Sequence, residues 1–435
     1  MALAIPSLGA LIAEPLFLLT DTAMVGHLGA DALASLGLAS TILTTVIGLL
    51  IFLAYATTPV VARRLGAGNR PGALSAGIDG LWLALGLGIG LGVGGYLLTA
   101  SVVGWFGAEV TVAAGSVEYL AISWWGLPGM LLVIAATGLM RGLQDAKTPL
   151  WIAVIGFAAN AALNAVLIYG LGLGLIGSAL GTVIAQWAMA GVFVVIIAGH
   201  ARTAGVSLAP GATGITAAAR SGSWLLLRTV SLRIALIATV VVATGLGTRE
   251  LAAWHIVFTI FSLLALALDA LAIAAQALVG HDLGSGDRAT VRTTTSTLMS
   301  WGFFAGGVLA VATGLLSPAL PFVMTSDQSL RSVLLPVLIL LALTLPLSGF
   351  VFVLDGVLIG AGDGKYLALT GVLNLAMFAP FLWLASLTEW MVSGVNLGGL
   401  LMLEAAFGVS YIGARALTLG LRARGERWMV TGESR

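Results

Sequence analysis

Apolar residues run in unbroken stretches of about twenty or more along the whole chain, separated by short charged, Gly- and Pro-rich breaks. No stretch alternates apolar and polar with the period of two that a membrane β-barrel strand requires. A run of that length matches a helix that crosses a bilayer. Helices and closed barrels are the structures that satisfy their backbone polar groups there. The pattern predicts twelve spanning helices, at 2–25, 32–63, 73–105, 112–141, 149–170, 176–199, 215–245, 250–281, 289–324, 331–360, 366–389 and 394–421.

Composition narrows the class further. Of the 435 residues, 59% are hydrophobic and 9% are charged, against roughly 25% charged in a soluble domain. A soluble enzyme, a nucleic-acid-binding protein and a disordered chain are all excluded, because a water-facing surface cannot be built from so few polar residues. The net charge of +1 supplies no bulk attraction for nucleic acid. The absence of Cys removes disulfides, thiol catalysis and thiolate metal sites. The four His residues (His27, His200, His255, His281) are far apart, so neither a metal centre nor a cofactor is expected. Fifteen Lys and Arg residues, from Arg63 to Arg435, fall in the loops after even-numbered helices and at the C-terminus. Only Arg249 and Arg331 fall on the opposite side. That bias predicts a multi-pass protein of the cell (inner) membrane with both termini cytoplasmic. The N-terminus has no charged n-region or small-residue cleavage site, so helix 1 is expected to be retained.

The second half repeats the first at an offset of 218 residues. RRLGAGNR at Arg63–Arg70 falls on HDLGSGDR at His281–Arg288. Gly138, Gly142, Asp145 and Lys147 fall on Gly356, Gly360, Asp363 and Lys365. Coincident Arg, Asp and Lys make chance a poor explanation. Six helices per repeat is an even number, so the repeats are parallel and both enter from the same side. The expected organisation is an N-terminal bundle (1–200), a cytoplasmic linker (201–214), a C-terminal bundle (215–422) and a tail (423–435). The fold class is an all-α membrane protein of two six-helix bundles, and this plan needs no partner subunit, so a monomer is expected.

Ionisable residues within spans are costly, about 2.5–3.5 kcal/mol each on insertion scales, and are the first place to look for function. Asp21 in LLTDTAMVG leads, with Glu14 seven residues earlier on the same face of helix 1. Pro6 and Pro15 free backbone carbonyls in that helix and allow it to bend. Asn160 and Asn164 share a face of helix 5. Gln186 in helix 6 coincides through the repeat with Glu404 in helix 12, which suggests a cavity-lining role in each bundle. The C-terminal bundle has Thr239 where Asp21 would recur, and carries Arg228, Arg233, Asp269 and Asp355 instead. Two acids and two bases there are expected to form internal pairs, with structural and functional roles equally open. Met24 offers a soft surface for varied ligands, though apolar packing explains it as well.

Three motif matches carry nothing. The GxGxxG patterns at Gly90–Gly95 and Gly172–Gly177 lie in an apolar run and an outward loop, not in a βαβ unit. GAGD at Gly360–Asp363 looks like an element of intramembrane aspartyl proteases. The repeat, however, pairs Asp363 with Asp145 in a charged cytoplasmic turn, the wrong place for one of the two facing buried aspartates that such catalysis needs.

The segments EPLFLLTDTAMVGHLGADALASLGLAS, LGAGNR, MRGLQDAKTPL, NAALNAVLIYGLGLGLIGSALGT, ALDALAIAAQALVGHDLGSGD and LDGVLIGAGD resemble the DinF branch of the MATE (multidrug and toxic compound extrusion) transporters, almost end to end. The resemblance implies two six-helix bundles around a V-shaped central cavity. It also implies antiport of an amphipathic, often cationic, drug-like compound against H+ or Na+. Asp21 matches the family's helix 1 aspartate, the expected protonation or cation site. Asn160 and Asn164 match the helix 5 polar pair. Where Asn164 stands, some other branches have an acid. The C-terminal bundle also lacks the helix 7 acid of the Na+-linked branch, so H+ is expected as the coupling ion. Pro6 matches the proline about which helix 1 is thought to bend. The alternative reading is a flippase for a lipid-linked precursor, hinted at by Arg228 and Arg233; a passive channel is a third.

Overall fold

The structure, a computed structural model, describes residues 3–432. The first residue of the helix expected at 2–25, and residues 433–435 of the expected tail, lie outside the described residues. The chain is 87% helical. Among the described residues, twelve helices are long and apolar enough to cross a membrane. In chain order, α1 is Ala4–Gly26, α2 Ala30–Gly66, α3 Arg70–Gly104, α4 Val110–Gly142, α5 Lys147–Gly170 and α6 Gly174–Thr203. They are followed by α7 Ala212–Leu246, α8 Thr248–Ser285, α9 Arg288–Leu316, α10 Gln328–Gly360, α11 Gly364–Leu387 and α12 Leu397–Arg424. All twelve expected spans are present. The ninth is shorter than expected, because the segment at Ser317–Ala319 ends it and a separate short helix, Leu320–Met324, follows. Ahead of α12, β1 (Met391–Val392) and β2 (Val395–Asn396) form a small antiparallel hairpin where the expected twelfth helix began. Its turn holds Ser393 and Gly394 at positive φ, which a helix cannot accommodate.

The repeat is visible in backbone detail. Gly29 and Gly247, both immediately before a helix, have φ of 119° and 144°, a region that favours glycine. Gln144 and Gly362, at the turns that end α4 and α10, have φ of 67° and 72°. The close helix crossings repeat as well. A Cβ added at Gly88 would lie 2.5 Å from Pro128 Cα, and one at Gly306 would lie 2.8 Å from Pro346 Cα. At Gly138 it would lie 2.9 Å from Ala54 Cα, and at Gly356 2.8 Å from Ala272 Cα. Small residues let membrane helices approach this closely, and dispersion then rewards the contact.

By contact, the chain divides into Met1–Gly222 and Ser223–Arg435. The expected boundary was the linker at 201–214, but that segment is held by the first unit. The Gly211 N–H donates to the Asp79 carboxylate at 2.7 Å, and the Trp82 indole donates to the Leu208 carbonyl at 2.9 Å. The division therefore falls inside α7. The expected C-terminal tail is likewise part of its unit. Trp428 and Met429 are buried, the Gly432 N–H donates to the Leu283 carbonyl, and Glu426 pairs with Arg288 and Arg292.

Candidate functional site

In the first unit, Asp21 lies on the face of α1 that packs against α5 and α6, and only 6% of it is exposed. Phe17 of α1 stacks on Phe157 of α5 at 5.0 Å and fixes the register of the two helices one turn away. The Asn164 amide donates to Asp21 Oδ1 at 2.8 Å, and the Ser178 hydroxyl donates to the same oxygen at 2.7 Å. Asn160 donates to the Thr182 hydroxyl at 3.3 Å. Tyr119, buried on α4, stands beside Ser123, Ser178 and Thr182 and completes the group. Every donor to Asp21 is neutral. Among the described residues no Lys, Arg or His forms an ion pair with it. The side-chain oxygens of Asn160 and Asn164 are buried without a partner.

The other expected residues of this unit are distributed differently. Met24 lines a cavity of about 540 Å³ together with Leu16, Leu19, Thr20, Ala23, His27 and Tyr169. The Tyr169 hydroxyl donates to the Met24 carbonyl at 2.6 Å, tying the end of α5 to α1. Glu14 is exposed on α1 and has no hydrogen bond to Asp21. Gln186 is not gathered into the cluster. It lies about 12 Å along α6 from Ser178, at 1.5 Å per residue, and packs against Gly126 at the 3₁₀ turn Trp124–Gly126. Pro15 is inside α1 and deprives the Leu11 carbonyl of its helical partner. Pro6 sits in the first turn, where a missing N–H leaves no helical bond unmade.

The second unit holds a different arrangement. Asp355 on α10 is buried between Arg228 of α7, which pairs with its Oδ2, and Arg415 of α12, 3.0 Å from its Oδ1. Leu232, Thr370, Asn374 and Tyr411 close a pocket of about 10 Å³ around these three, room for about one water. Arg233 points away and is exposed, and Asp269 is half-buried on α8. Glu404 is 1% exposed, and its Oε1 has no hydrogen-bond partner. Sequence reasoning passed over Tyr119, Ser178 and Arg415. Ser178 and Tyr119 carry no charge to mark them in a span. Arg415 was counted with the cytoplasmic positive charges, but the structure buries it within α12. No group of three or more His, Asp and Glu residues able to hold a metal occurs among the described residues.

Twelve helices long and apolar enough to span a bilayer, in two similar units, define a multi-pass membrane protein. The MatE family model matches residues 6–166 and 226–384, one segment in each repeat. The chain belongs to the MATE family of transporters, whose members move small molecules and are not enzymes. It is 28% identical over 408 residues to Protein DETOXIFICATION 44, chloroplastic, of Arabidopsis thaliana, covering 89% of this chain and 76% of that protein. It is 27% identical to DNA damage-inducible protein F of Escherichia coli strain K12, over 66% of this chain and 63% of the relative. The fold matches the bent form of the Vibrio cholerae MATE transporter VcmN with a TM-score of 0.84 at 21% identity, over 96% of each chain.

Proposed function

We propose that this protein is a secondary antiporter of the cell membrane that exports amphipathic, often cationic compounds in exchange for H+, with Asp21 as the protonation site. Both termini face the cytoplasm in this reading, following the positive-charge bias of the loops. The observation that carries it is the setting of Asp21, buried and, among the described residues, hydrogen-bonded by the neutral Asn164 and Ser178 alone. An ionised carboxylate is expensive in such a place without a counter-charge, and either a proton or an organic cation removes that cost. The two therefore compete for one carboxylate, which is the thermodynamic requirement for exchange by alternating access. H+ is favoured over Na+ because Asn164 stands where a second carboxylate oxygen would be needed, and offers an amide donor to Asp21 instead. Met24 and its cavity supply apolar surface for the body of the substrate. The transporter works as a monomer, because each unit buries its own polar cluster.

The test is reconstitution in liposomes with a fluorescent cationic dye such as ethidium, under a proton gradient and a sodium gradient imposed separately. Dye movement driven by the proton gradient and lost in Asp21→Asn is the expected result. Movement driven only by sodium would overturn the coupling ion. No movement under either gradient would favour a lipid-precursor flippase, for which the excess of guanidinium over carboxylate around Asp355 would be the relevant feature.

A further inference from the structure

Glu404 is a buried carboxyl that the exchange at Asp21 does not use. The next turn of its helix packs mostly against aromatic side chains. Phe407, one turn on, meets Trp254 and Phe261 of α8 edge-on, at 6.5 and 5.3 Å between ring centroids. Gly408 packs against the Thr344 side chain of α10. The Asn396 N–H donates to Glu250 at 2.5 Å and pins the start of α12 to the start of α8. Both helices run inward from that point, so residues a similar number of steps on lie at a similar depth. Two groups near this seam lack partners, Glu404 Oε1 and the indole Nε1 of buried Trp254.

The charged and titratable groups on the helices packed against this part of α12 are otherwise engaged or distant. Glu250 is taken by Asn396, and Asp355 by Arg228 and Arg415. Arg331 bonds the Thr325 carbonyl, and Lys365 sits over Trp224 at the start of α11. Arg249 and His255 are exposed, and Asp269 lies about four turns beyond Trp254 on α8. Tyr411 stacks on Phe407 at 6.0 Å. None of these is hydrogen-bonded or ion-paired to Glu404 among the described residues.

The backbone adds a second observation. Two π-helical segments occur among the described residues, Val166–Gly170 and Ala406–Tyr411. Each begins two residues after a buried polar side chain, Asn164 in one unit and Glu404 in the other. Such segments recur at functional sites. Sliding one by a residue turns the side chains it passes by about 100°, one residue's share of a helical turn.

We propose that Glu404 is a second proton-carrying carboxyl, housed wholly in the second unit, so that a full cycle moves two protons, one at Asp21 and one at Glu404. The count of two rests on the proton-exchange reading above; the protonation of Glu404 does not. The test uses the full chain in lipid and infrared difference spectra between acid and alkaline pH, read at the protonated-carboxyl C=O stretch. Wild type is expected to lose two buried-carboxyl bands on alkalinisation. Glu404→Gln removes one of them, Asp21→Asn removes the other, and Glu404→Asp keeps a band at a shifted frequency. A Glu404→Gln spectrum identical to wild type overturns the proposal. Glu404→Gln is close in shape and Oε1 has no hydrogen bond to lose, so its melting temperature should match wild type. In liposomes, the same variant should halve the number of protons moved per dye molecule. An unchanged ratio overturns the count of two. The band of Glu404 is read without transport, so sodium-driven movement would sink the exchange reading while leaving the carboxyl's own test intact.

Discussion

The first unit leaves its buried acid without a counter-charge, whereas the second surrounds the acid of its ion cluster with two. Asp21 accepts from an amide and a hydroxyl, groups that stabilise a negative charge only in part. Asp355 is held by Arg228 and Arg415, and protonating it would remove the carboxylate charge that faces both guanidinium groups. In a medium of low dielectric, Coulomb attraction of that kind far exceeds a neutral hydrogen bond. On the exchange reading proposed above, the same residue type is exchangeable in one unit and locked in the other. The overall repeat is kept in helix crossings such as Gly138 on Ala54 and Gly356 on Ala272, while the chemistry has diverged. Thr239, where Asp21 would recur, is wholly buried and bonds only the carbonyl of Leu236 in its own helix.

The largest expected effect breaks the comparison directly. Asp21→Asn should reduce gradient-driven export to the level of empty liposomes, with the melting temperature unchanged. Asn still accepts from Ser178, so packing survives while the exchangeable charge is gone. Asp355→Asn should do the reverse: it removes the carboxylate charge that faces buried Arg415 and half-buried Arg228, and the protein should melt earlier. Equal loss of transport per folded molecule in both variants, with equal stability, would end the distinction between an exchange site and a structural lock.

A second contrast sharpens the nature of the lock. Asp355→Leu alone, which takes the one carboxylate charge away from both guanidinium groups, should cost about 3–5 kcal/mol of stability, the range for removing one partner of a buried pair. Replacing all three residues together, as Arg228→Met, Asp355→Leu and Arg415→Met, should restore most of that stability. Thermal melting in detergent checks both variants. If the triple variant recovers its fold but not its export, the cluster does more than hold helices together.

How far the sequence alone reached follows from what each residue type reveals. Twelve spans were legible because a bilayer demands long apolar runs, and Asp21, Asn160 and Asn164 were legible because polar groups stand out within them. The hairpin at Met391–Asn396 was hidden, because its residues read as the start of an apolar run. Ser178 and Tyr119 were hidden because an uncharged side chain in a span is common and only proximity to Asp21 gives it a role. Arg415 was misread because charge bias counts residues by loop, whereas its helix carries it into the interior beside Asp355. Gln186 shared a repeat position with Glu404, yet a shared position fixes depth and not direction. Gln186 meets Gly126, while Glu404 Oε1 has no hydrogen-bond partner.

The smallest effect concerns one aligned pair of aspartates at the two equivalent turns. Asp145 caps α5, accepting from the N–H groups of Lys147 and Thr148 at 3.0 Å each. Asp363 makes no such cap to α11 and instead accepts from Arg422 Nε at 2.7 Å. Asn is as good a cap as Asp, so Asp145→Asn should change stability by less than about 0.5 kcal/mol. Asp363→Asn loses an ion pair at the edge of the unit and should cost about 1 kcal/mol, the upper end for partly exposed pairs. High salt screens that pair in wild type, so the difference between wild type and Asp363→Asn should shrink as ionic strength rises. The gap between wild type and Asp145→Asn should stay flat. Melting curves at low and high salt decide it, and a salt-dependent gap at Asp145 would mean that both turns rely on charge.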